Sequence, residues 1–493
     1  MDDFISKYLY AISPHQIIDE STISCFEPAQ MKLSSAKKGA KKSNIIQDKC
    51  LYLQDTIIRK AYSQKDNKTI RLSSTLLQRI VGGEYKTMLD VLCQMGYLKL
   101  GDGGKGGDGE YNYYSPGKHS MLYSIPNNVD FNAREIVNFK IKGYKEKAAE
   151  ELGKYYEASV RPRIEDKYGE SFYQNYLESL NMFKIDDNEG FERCFTNIDE
   201  SLSKTIYLSS IRNSLLEKKT IYSIDKSGRL YHVLTNLRKD LKVFINIDFE
   251  LDCKNSNPLL LNYFIFKNKD IDSSTSYNIS SMLSRIKIYK NNHNVGKNLR
   301  NELISNGIEN QILAKLTDDE LDYIYLTSTG RLWDVIQQHY PQYTRGEIKA
   351  LMFEQVFFAP SAQITSGKPF AGDFQVLFPS IYELITLWKK PLKNASIKAY
   401  LVDSGLCLEQ DTEATYKGNS ALPLAMMNLE SRIMTEVLKR MYRKRWSAVN
   451  IHDCIVVPKS AKKNQPSMSD VVPIMDMVYA EFGLKATFNK ITY

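Results

Sequence analysis

Acidic residues at two distant places are the strongest candidates for chemistry in this sequence. In residues 242–258 (KVFINIDFELDCKNSNP) apolar and polar residues alternate, which predicts a β-strand. Its polar face would carry Asp248, Glu250 and Asp252, and a polar turn and an apolar helix follow Asp252. The alternation alone would suit a solvent-exposed edge strand. The turn and the helix favour a metal ligand at the strand end, because Mg²⁺ binds carboxylate oxygens.

The second acidic position lies in residues 445–458 (RWSAVNIHDCIVVP). Two apolar runs flank His452 and Asp453, which predicts a β-hairpin with these residues at its tip. A polar hairpin tip is common and needs no function. Two carboxylate positions far apart in sequence nevertheless suit a two-metal site, in which Mg²⁺ binds few protein oxygens together with substrate phosphates.

Between them, residues 343–360 (YTRGEIKALMFEQVFFAP) have a helical composition. Arg345, Lys349, Phe353 and Phe357 recur every fourth residue and so are predicted to share one stripe of the helix. Cations bind phosphate and aromatic rings pack on a base or sugar. An amphipathic helix with aromatics in the core is the alternative. The order carboxylate, cation–aromatic helix, carboxylate indicates nucleotidyl transfer.

Length and composition exclude several classes of protein. The 493 residues hold 66 Lys and Arg against 58 Asp and Glu, a net charge of +8 that permits a polyanionic partner without requiring one. A run of about 18 apolar residues is absent, and the first residues do not resemble a signal peptide. The 7 cysteines lack CxxC spacing, which disfavours a zinc ribbon or a disulfide framework. We therefore expect a soluble cytoplasmic protein.

Four regions are predicted along the chain. Residues 1–48 include a short basic stretch and form an arm or linker. Residues 49–127 predict three helices and a glycine-rich hairpin, the order of a winged-helix module that binds either DNA or protein. Residues 128–222 are charged and helical, and residues 223–493 alternate strands and helices.

The C-terminal motifs, in this order, resemble those of family A nucleic-acid polymerases, which are related to the single-subunit phage-type RNA polymerases. In the family an aspartate ends a palm strand, and the phage-type RNA polymerases place a serine four residues later. The fingers helix reads R-x3-K-x3-[FY]-x3-Y, a G-R-L element upstream touches primer and template, and a helix precedes a His-Asp hairpin. The matching positions here are Asp252, Ser256, Arg345, Lys349, Phe353, Phe357, Arg229, Asn236, His452 and Asp453, with the helix at 424–442.

This resemblance implies an α+β fold. It would be a right-hand polymerase with an antiparallel palm sheet and helical thumb and fingers, preceded by the winged-helix-like N-terminal module. Residues 128–222 would be a thumb-like region and residues 223–493 the palm and fingers. The arrangement is similar to polymerase-like replication proteins of phages and bacterial mobile elements.

The resemblance also implies roles for individual residues. Two Mg²⁺ ions would be held by Asp252, the carbonyl of Cys253 and Asp453. Arg345 and Lys349 would grip the β- and γ-phosphates, with Lys349 also able to protonate pyrophosphate. Further contacts with the nucleotide or with the primer–template would come from Phe353, Phe357, Ser256, Asn257, Arg229, Asn236 and His452.

Several positions depart from the family pattern and leave alternatives open. Asp248 is an alternative first metal ligand, although the turn and Ser256 favour Asp252. Phe357 replaces the usual Tyr, Asn257 stands where DNA polymerases have Glu, and Glu430 stands where the family has Gln. The missing hydroxyl at Phe357 favours deoxynucleotides.

DNA-dependent DNA synthesis is therefore the first interpretation of the sequence. Its partners would be primer–template DNA, dNTPs and replisome proteins, without a membrane. RNA or primer synthesis is the second interpretation. A DNA-binding replication-initiation protein with an inactive palm, or a purely structural replisome partner, is the third.

Overall fold

A computed structural model describes most of the chain beyond residue 144 and separate pieces before it. The described residues are 11–14, 49, 53, 56–57, 69–83, 85–94, 98–100, 121–124, 134–137, 144–196, 211, 214–215, 219–286, 296–358, 369–389, 395–406, 421–460 and 465–493. The basic stretch at 34–43 and most of the glycine-rich hairpin loop therefore lie outside the described residues.

Strands and helices alternate irregularly along the chain. The strands are β1 Ala11–Pro14, β2 Thr69–Leu72, β3 Lys99–Leu100, β4 Met121–Ser124, β5 Arg134–Val137, β6 Ile221–Ile224, β7 Leu230–His232, β8 Ile247–Cys253, β9 Val449–Ile451, β10 Cys454–Pro458 and β11 Phe488–Thr492. The helices are α1 Ser74–Ile80, α2 Tyr85–Gln94, α3 Tyr144–Tyr168, α4 Glu170–Asn181, α5 Asn188–Thr196, α6 Ser256–Asn268, α7 Ser273–Arg285, α8 Gly296–Ser305, α9 Asn310–Leu313, α10 Asp318–Ser328, α11 Leu332–His339, α12 Arg345–Met352, α13 Pro369–Leu377, α14 Pro379–Trp388, α15 Ala395–Asp403, α16 Ala421–Arg443 and α17 Met468–Glu481. Two 3₁₀ helices, Val233–Asn236 and Lys239–Phe244, and a π-helical turn, Phe353–Phe357, complete the described elements.

The fold is mixed α+β, mostly helical, with small antiparallel sheets. The chain divides into two compact units, residues 1–159 with 184–220 and residues 160–183 with 221–493. The predicted helical region 128–222 is thus shared between the units. None of the helices in the described ranges combines the length and apolar character that a membrane span requires.

The N-terminal unit contains a small three-stranded sheet. Its strands lie in the order β2, β4, β3, and β3 and β4 pair antiparallel where the hairpin was predicted. The outer strand β2 was not predicted. α1 and α2 contribute Leu77, Met88 and Leu92 to a core that also contains Ile70 and Tyr123. A separate antiparallel pair joins β1, inside the predicted arm, to β5, so residues 1–48 are not an arm throughout.

The C-terminal unit is built on a four-stranded antiparallel sheet in the order β11, β8, β10, β9. β8 is an inner strand, paired with β11 on one side and β10 on the other. Its residues Ile247, Phe249 and Leu251 are buried, and α17 packs on the strand. The strand that carries the predicted carboxylates is therefore held on both edges.

The strand predicted within residues 242–258 begins later than expected. Residues Lys239–Phe244 form a 3₁₀ helix, and the strand begins only at Ile247. A repeat of three residues does not keep the two-residue alternation of a strand, and Val243 is 55% exposed. At the other end, the turn and the apolar helix predicted after Asp252 are present, because the strand ends at Cys253 and α6 begins at Ser256.

Candidate functional site

The two carboxylates predicted from distant segments meet at one end of β8. Asp252 lies opposite Cys454 in the β8–β10 pairing, and the amide of Cys253 donates a 3.3 Å hydrogen bond to the carbonyl of Asp453. Asp453 follows His452 in the predicted hairpin tip, and His452 has a left-handed φ of 54°. Such a φ is uncommon outside glycine and makes the two-residue turn tight. Asp252 and Asp453 are therefore neighbours.

The other two acidic residues of β8 lie elsewhere. Asp248 is exposed near the start of the strand, several residues from the hairpin tip. Glu250 is buried and accepts hydrogen bonds of 2.7 and 3.0 Å from the ammonium of Lys242. Of the three carboxylates on this strand, only Asp252 adjoins Asp453.

The electrostatics of the site join the strand to helix α12. Burial of Asp252, with the negative charge of Asp453 as the second cause, raises the pKa of Asp252 to about 6. The positive charge of Lys349 opposes this rise in pKa. Lys349, an exposed residue of α12, thus interacts with a carboxylate almost a hundred positions earlier in the chain. The site combines two mutually repelling carboxylates with one exposed cation.

Helix α12 begins at its first cation and is fixed by a capping box. Thr344 and Glu347 exchange hydrogen bonds between side chain and backbone at its N-terminus. The guanidinium of Arg345 lies 3.1 Å from the carboxylate of Asp334, and both side chains are about half exposed (48% and 55%). The ion pair is therefore exposed to solvent on both sides.

The two aromatic residues of the predicted stripe have different surroundings. Phe353 is half-buried, and the ammonium of Lys349 lies 5.8 Å from the centre of its ring. Phe357 is fully buried, with its ring edge-on to Trp333 and Phe374. In this conformation Phe357 is closed to a nucleotide.

The G-R-L element forms the turn between β6 and β7. The guanidinium of Arg229 makes two 2.8 Å hydrogen bonds to the two carboxylate oxygens of Glu430 on α16, and the amide of Asn428 donates to the carbonyl of Ser227. Gly228 has a φ of 95°, and a Cβ there would collide with the hydroxyl of Tyr168. The turn therefore requires glycine at this position.

The Arg229–Glu430 pair reaches the candidate site. Burial of Glu430, with the negative charge of Asp453 as the second cause, raises the pKa of Glu430 to about 7, while Arg229 opposes the rise. Glu430, which stands where the family has Gln, is thus buried and paired. Asn236 is exposed at the end of the following 3₁₀ helix.

Unpartnered polar atoms cluster at the N-terminus of α6. Among the described residues, both amide atoms of Asn255, the hydroxyl of Ser256 and the amide oxygen of Asn257 are buried without a hydrogen-bond partner. Burying a polar group without a partner costs about 1–3 kcal/mol. A helix N-terminus also favours anions. The cluster is well suited to accept polar atoms from a ligand beside Asp252.

Asn255 was not among the predicted site residues. It takes a left-handed conformation (φ 55°) between the end of β8 and the start of α6. Asn tolerates this conformation better than most residues. The Asn at position 255 in the polar run after Asp252 therefore indicated a sharp turn. It did not indicate that the Asn255 amide would be buried.

A buried set of hydrogen-bonded side chains is linked to the hairpin tip. The hydroxyl of Tyr176 on α4 lies 2.9 Å from Nε2 of His232 and donates to Asn450, and His232 also lies 3.2 Å from the Asn450 carbonyl. The amide of Asn450 in turn donates to the carbonyl of His452 at 3.3 Å. These residues come from three distant segments, so no local pattern indicated them.

We expect the His232 ring to make stability dependent on pH. Burial lowers the pKa of His232 to about 4 from an ordinary value near 6.5. The unfolded chain therefore takes up this proton first, and the stabilisation present above pH 6.5 is lost as pH falls towards 4, by roughly 3 kcal/mol. Urea unfolding followed by tryptophan fluorescence at pH 7 and pH 4.5 measures this loss in the C-terminal unit, which holds all three tryptophans (Trp333, Trp388 and Trp446).

His232→Gln keeps hydrogen-bonding groups but does not titrate, so it should lose less stability on acidification than the wild type. The exposed His339 is the matched control, and His339→Gln should follow the wild type. Equal pH dependence in His232→Gln and the wild type would show that His232 is not the titrating group.

The donor set of the site suits Mg²⁺ better than a transition metal. Asp252, Asp453 and the Cys253 carbonyl offer oxygen atoms, and Mg²⁺ keeps water and substrate phosphates as its other ligands. Within the described ranges, no three His, Cys, Asp or Glu side chains are grouped so as to hold a metal ion by themselves. A cation here would depend on its substrate for further ligands.

Comparison with protein-family models and with curated proteins adds no family to this geometry. No protein-family model and no curated protein matches the chain. The resemblance of the four motifs to family A polymerases remains a prediction from the sequence.

Proposed function

We propose that this protein carries out template-directed nucleotidyl transfer, as a DNA-dependent DNA polymerase. One observation carries the proposal: Asp252 and Asp453, about two hundred residues apart in sequence, adjoin at one end of the sheet, and Lys349 acts electrostatically on Asp252. Two carboxylates with a nearby cation are the minimum that metal-assisted transfer to a triphosphate requires.

In this proposal the four-stranded sheet is the palm of a right-hand polymerase. α12 with its π-helical turn belongs to the fingers, and α4 lies at the base of the thumb. Asp252, Asp453 and the Cys253 carbonyl would hold two Mg²⁺ ions. Bound Mg²⁺ would supply positive charge at the primer 3′-hydroxyl and at the triphosphate.

The protein's own cations bind the remaining charge of the triphosphate. Lys349 is exposed and already within electrostatic reach of Asp252, so it can bind a phosphate beside that carboxylate and donate a proton to the leaving pyrophosphate. Arg345 adds a second phosphate contact when it exchanges Asp334 for the substrate. The N-terminus of α6, with Ser256 and Asn257, lies on the other side of Asp252 along the chain.

Arg229 and His452 fit contacts with the primer–template. Arg229 is held in one orientation by Glu430, and its side chain is 13% exposed. His452 is half-buried at the hairpin tip, edge-on to the ring of Tyr231 at 6.1 Å. In this proposal the two side chains contact the sugar–phosphate backbone or the base edges of the primer–template.

Extension of a labelled primer on a DNA template in Mg²⁺ tests the proposed function. We expect template-dependent extension with dNTPs in clear preference to NTPs, because the aromatic residues that follow Lys349 are phenylalanines and offer no hydroxyl to the ribose 2′-hydroxyl. Reactions without template are the control. Extension with NTPs alone would favour RNA or primer synthesis, and DNA binding without extension by either pool would favour an initiation protein with an inactive palm.

A further inference from the structure

The turn that follows α12 changes which aromatic residue continues its stripe. Over Phe353–Phe357 the helix is π-helical, and the amide of Phe358 donates a 2.8 Å hydrogen bond to the carbonyl of Phe353, five residues earlier. A π-helical turn adds one residue to the α-helical repeat. Both the fourth residue on, Phe357, and the fifth, Phe358, therefore lie beside Phe353, and the Phe357 ring contacts it with centres 5.8 Å apart and planes tilted by 52°.

The ring contacts agree with this shift. Phe358 stacks on Phe353 with ring centres 5.1 Å apart and an angle of 22° between the planes. Both rings are half-buried. Phe357 contacts Phe353 only at a tilt and is fully buried against Trp333 and Phe374 as well. The Phe353–Phe358 pair is therefore partly accessible to solvent, whereas Phe357 belongs to the core.

The shifted turn is tied to the helix beneath it. The ammonium of Lys389, 1% exposed at the end of α14, donates a short hydrogen bond to the carbonyl of Val356 inside the π-helical turn. A buried ammonium is expensive to desolvate and persists only with hydrogen-bond acceptors. This contact holds the turn in the register that buries Phe357 and leaves Phe358 at the surface.

An electrostatic interaction and two ring interactions link the carboxylates to this pair. Lys349 acts on Asp252 and also lies 5.8 Å from the centre of the Phe353 ring, on which Phe358 stacks. A triphosphate bound at Lys349 would therefore place its sugar and base towards these two rings. Aromatic stacking on a base is worth a factor of about 5 to 150 in affinity.

We propose that Phe358, stacked on Phe353, is the aromatic residue that packs against the incoming nucleotide, and that Phe357 is a core residue. This inference rests on the proposed function, since it names the nucleotide-contacting ring of that same site. It assigns a specificity-determining role to a residue outside the four-residue spacing that the sequence suggests.

Two matched substitutions test the assignment, Phe358→Leu and Phe357→Leu. Each removes the same ring, and Leu keeps much of its apolar volume. Isothermal titration of dTTP with Mg²⁺ into protein bound to a dideoxy-terminated primer–template gives nucleotide affinity without turnover, and thermal unfolding gives stability.

We expect Phe358→Leu to weaken dTTP binding by about 5- to 20-fold at nearly unchanged unfolding temperature. Phe357→Leu should lower the unfolding temperature while changing dTTP affinity by less than about twofold, because the cost of a core substitution falls on packing.

The outcomes separate this inference from the proposed function. Weaker dTTP binding in Phe357→Leu than in Phe358→Leu, or equal binding in both variants and the wild type, would overturn the assignment and leave the polymerase proposal standing. Failure of the wild-type protein to bind dTTP or to extend a primer would overturn the proposed function, and the assignment with it.

Discussion

Asp252→Asn and Asp453→Asn should each lower primer extension by at least about a thousandfold. Each change removes one of two adjoining carboxylates that would hold Mg²⁺, and a thousandfold corresponds to about 4 kcal/mol of lost transition-state stabilisation. Asn is close in size to Asp, so the hairpin and its 3.3 Å backbone hydrogen bond between Cys253 and Asp453 should persist. Binding of primer–template in a filter or anisotropy assay should change little.

Asp248→Asn is the matched control because it makes the same substitution on the same strand. Asp248 is exposed and distant from the hairpin tip, so its variant should extend primers at close to the wild-type rate. The sequence left Asp248 and Asp252 as alternative ligands, and this pair of variants decides between them. Loss of extension in Asp248→Asn with activity retained in Asp252→Asn would reverse the assignment.

Arg229→Ala should destabilise the C-terminal unit by about 3–5 kcal/mol. The substitution leaves Glu430 buried, with a carboxylate that has lost both 2.8 Å hydrogen bonds from the guanidinium. The pKa of Glu430 is already raised to about 7, and removal of Arg229 raises it further. The unfolded chain keeps this carboxylate ionised at pH 8, so the destabilisation should be larger at pH 8 than at pH 6, where Glu430 takes up a proton in the folded protein.

An exposed ion pair in the same unit gives the control. Arg238 lies 2.7 Å from Asp240, and their side chains are 49% and 60% exposed. Exposed pairs contribute less than about 1 kcal/mol, so Arg238→Ala should leave the urea midpoint almost unchanged. Tryptophan fluorescence monitors both variants in the C-terminal unit. Equal effects of the two substitutions would mean that burial gives the Arg229–Glu430 pair no special importance.

Short-range patterns in the sequence predicted the parts of the site that depend on neighbouring residues. The hairpin around His452 and Asp453 is present because two apolar runs flank a short polar tip. α12 begins at Arg345, where Thr344 and Glu347 form a capping box. The long helix α16 spans the predicted 424–442 with a few residues more at its N-terminus and one more at its C-terminus.

Features that depend on tertiary contacts could not be predicted from the same patterns. The alternation of residues 242–258 suggested one exposed acidic face, yet Glu250 is buried because Lys242 folds back over it from a 3₁₀ helix. The spacing of α12 assumed an uninterrupted α-helix, and the π-helical turn, tied to Lys389 far along the chain, shifts the register. Asn450, which contacts His232, and Arg229, which pairs with Glu430, each lie about two hundred residues from their partner in the sequence.

The central position of β8 also determines the order in which the protein acquires its site during folding. Both strands that flank β8 come from residues 454–492, whereas the helices between them form from local contacts. Pairing across such a distance must close a chain of about two hundred residues, and long-range strand pairing is slow compared with helix formation. We therefore expect a chain whose helices have already formed still to lack the junction of Asp252 and Asp453, so that the activity proposed for the site would appear late in folding.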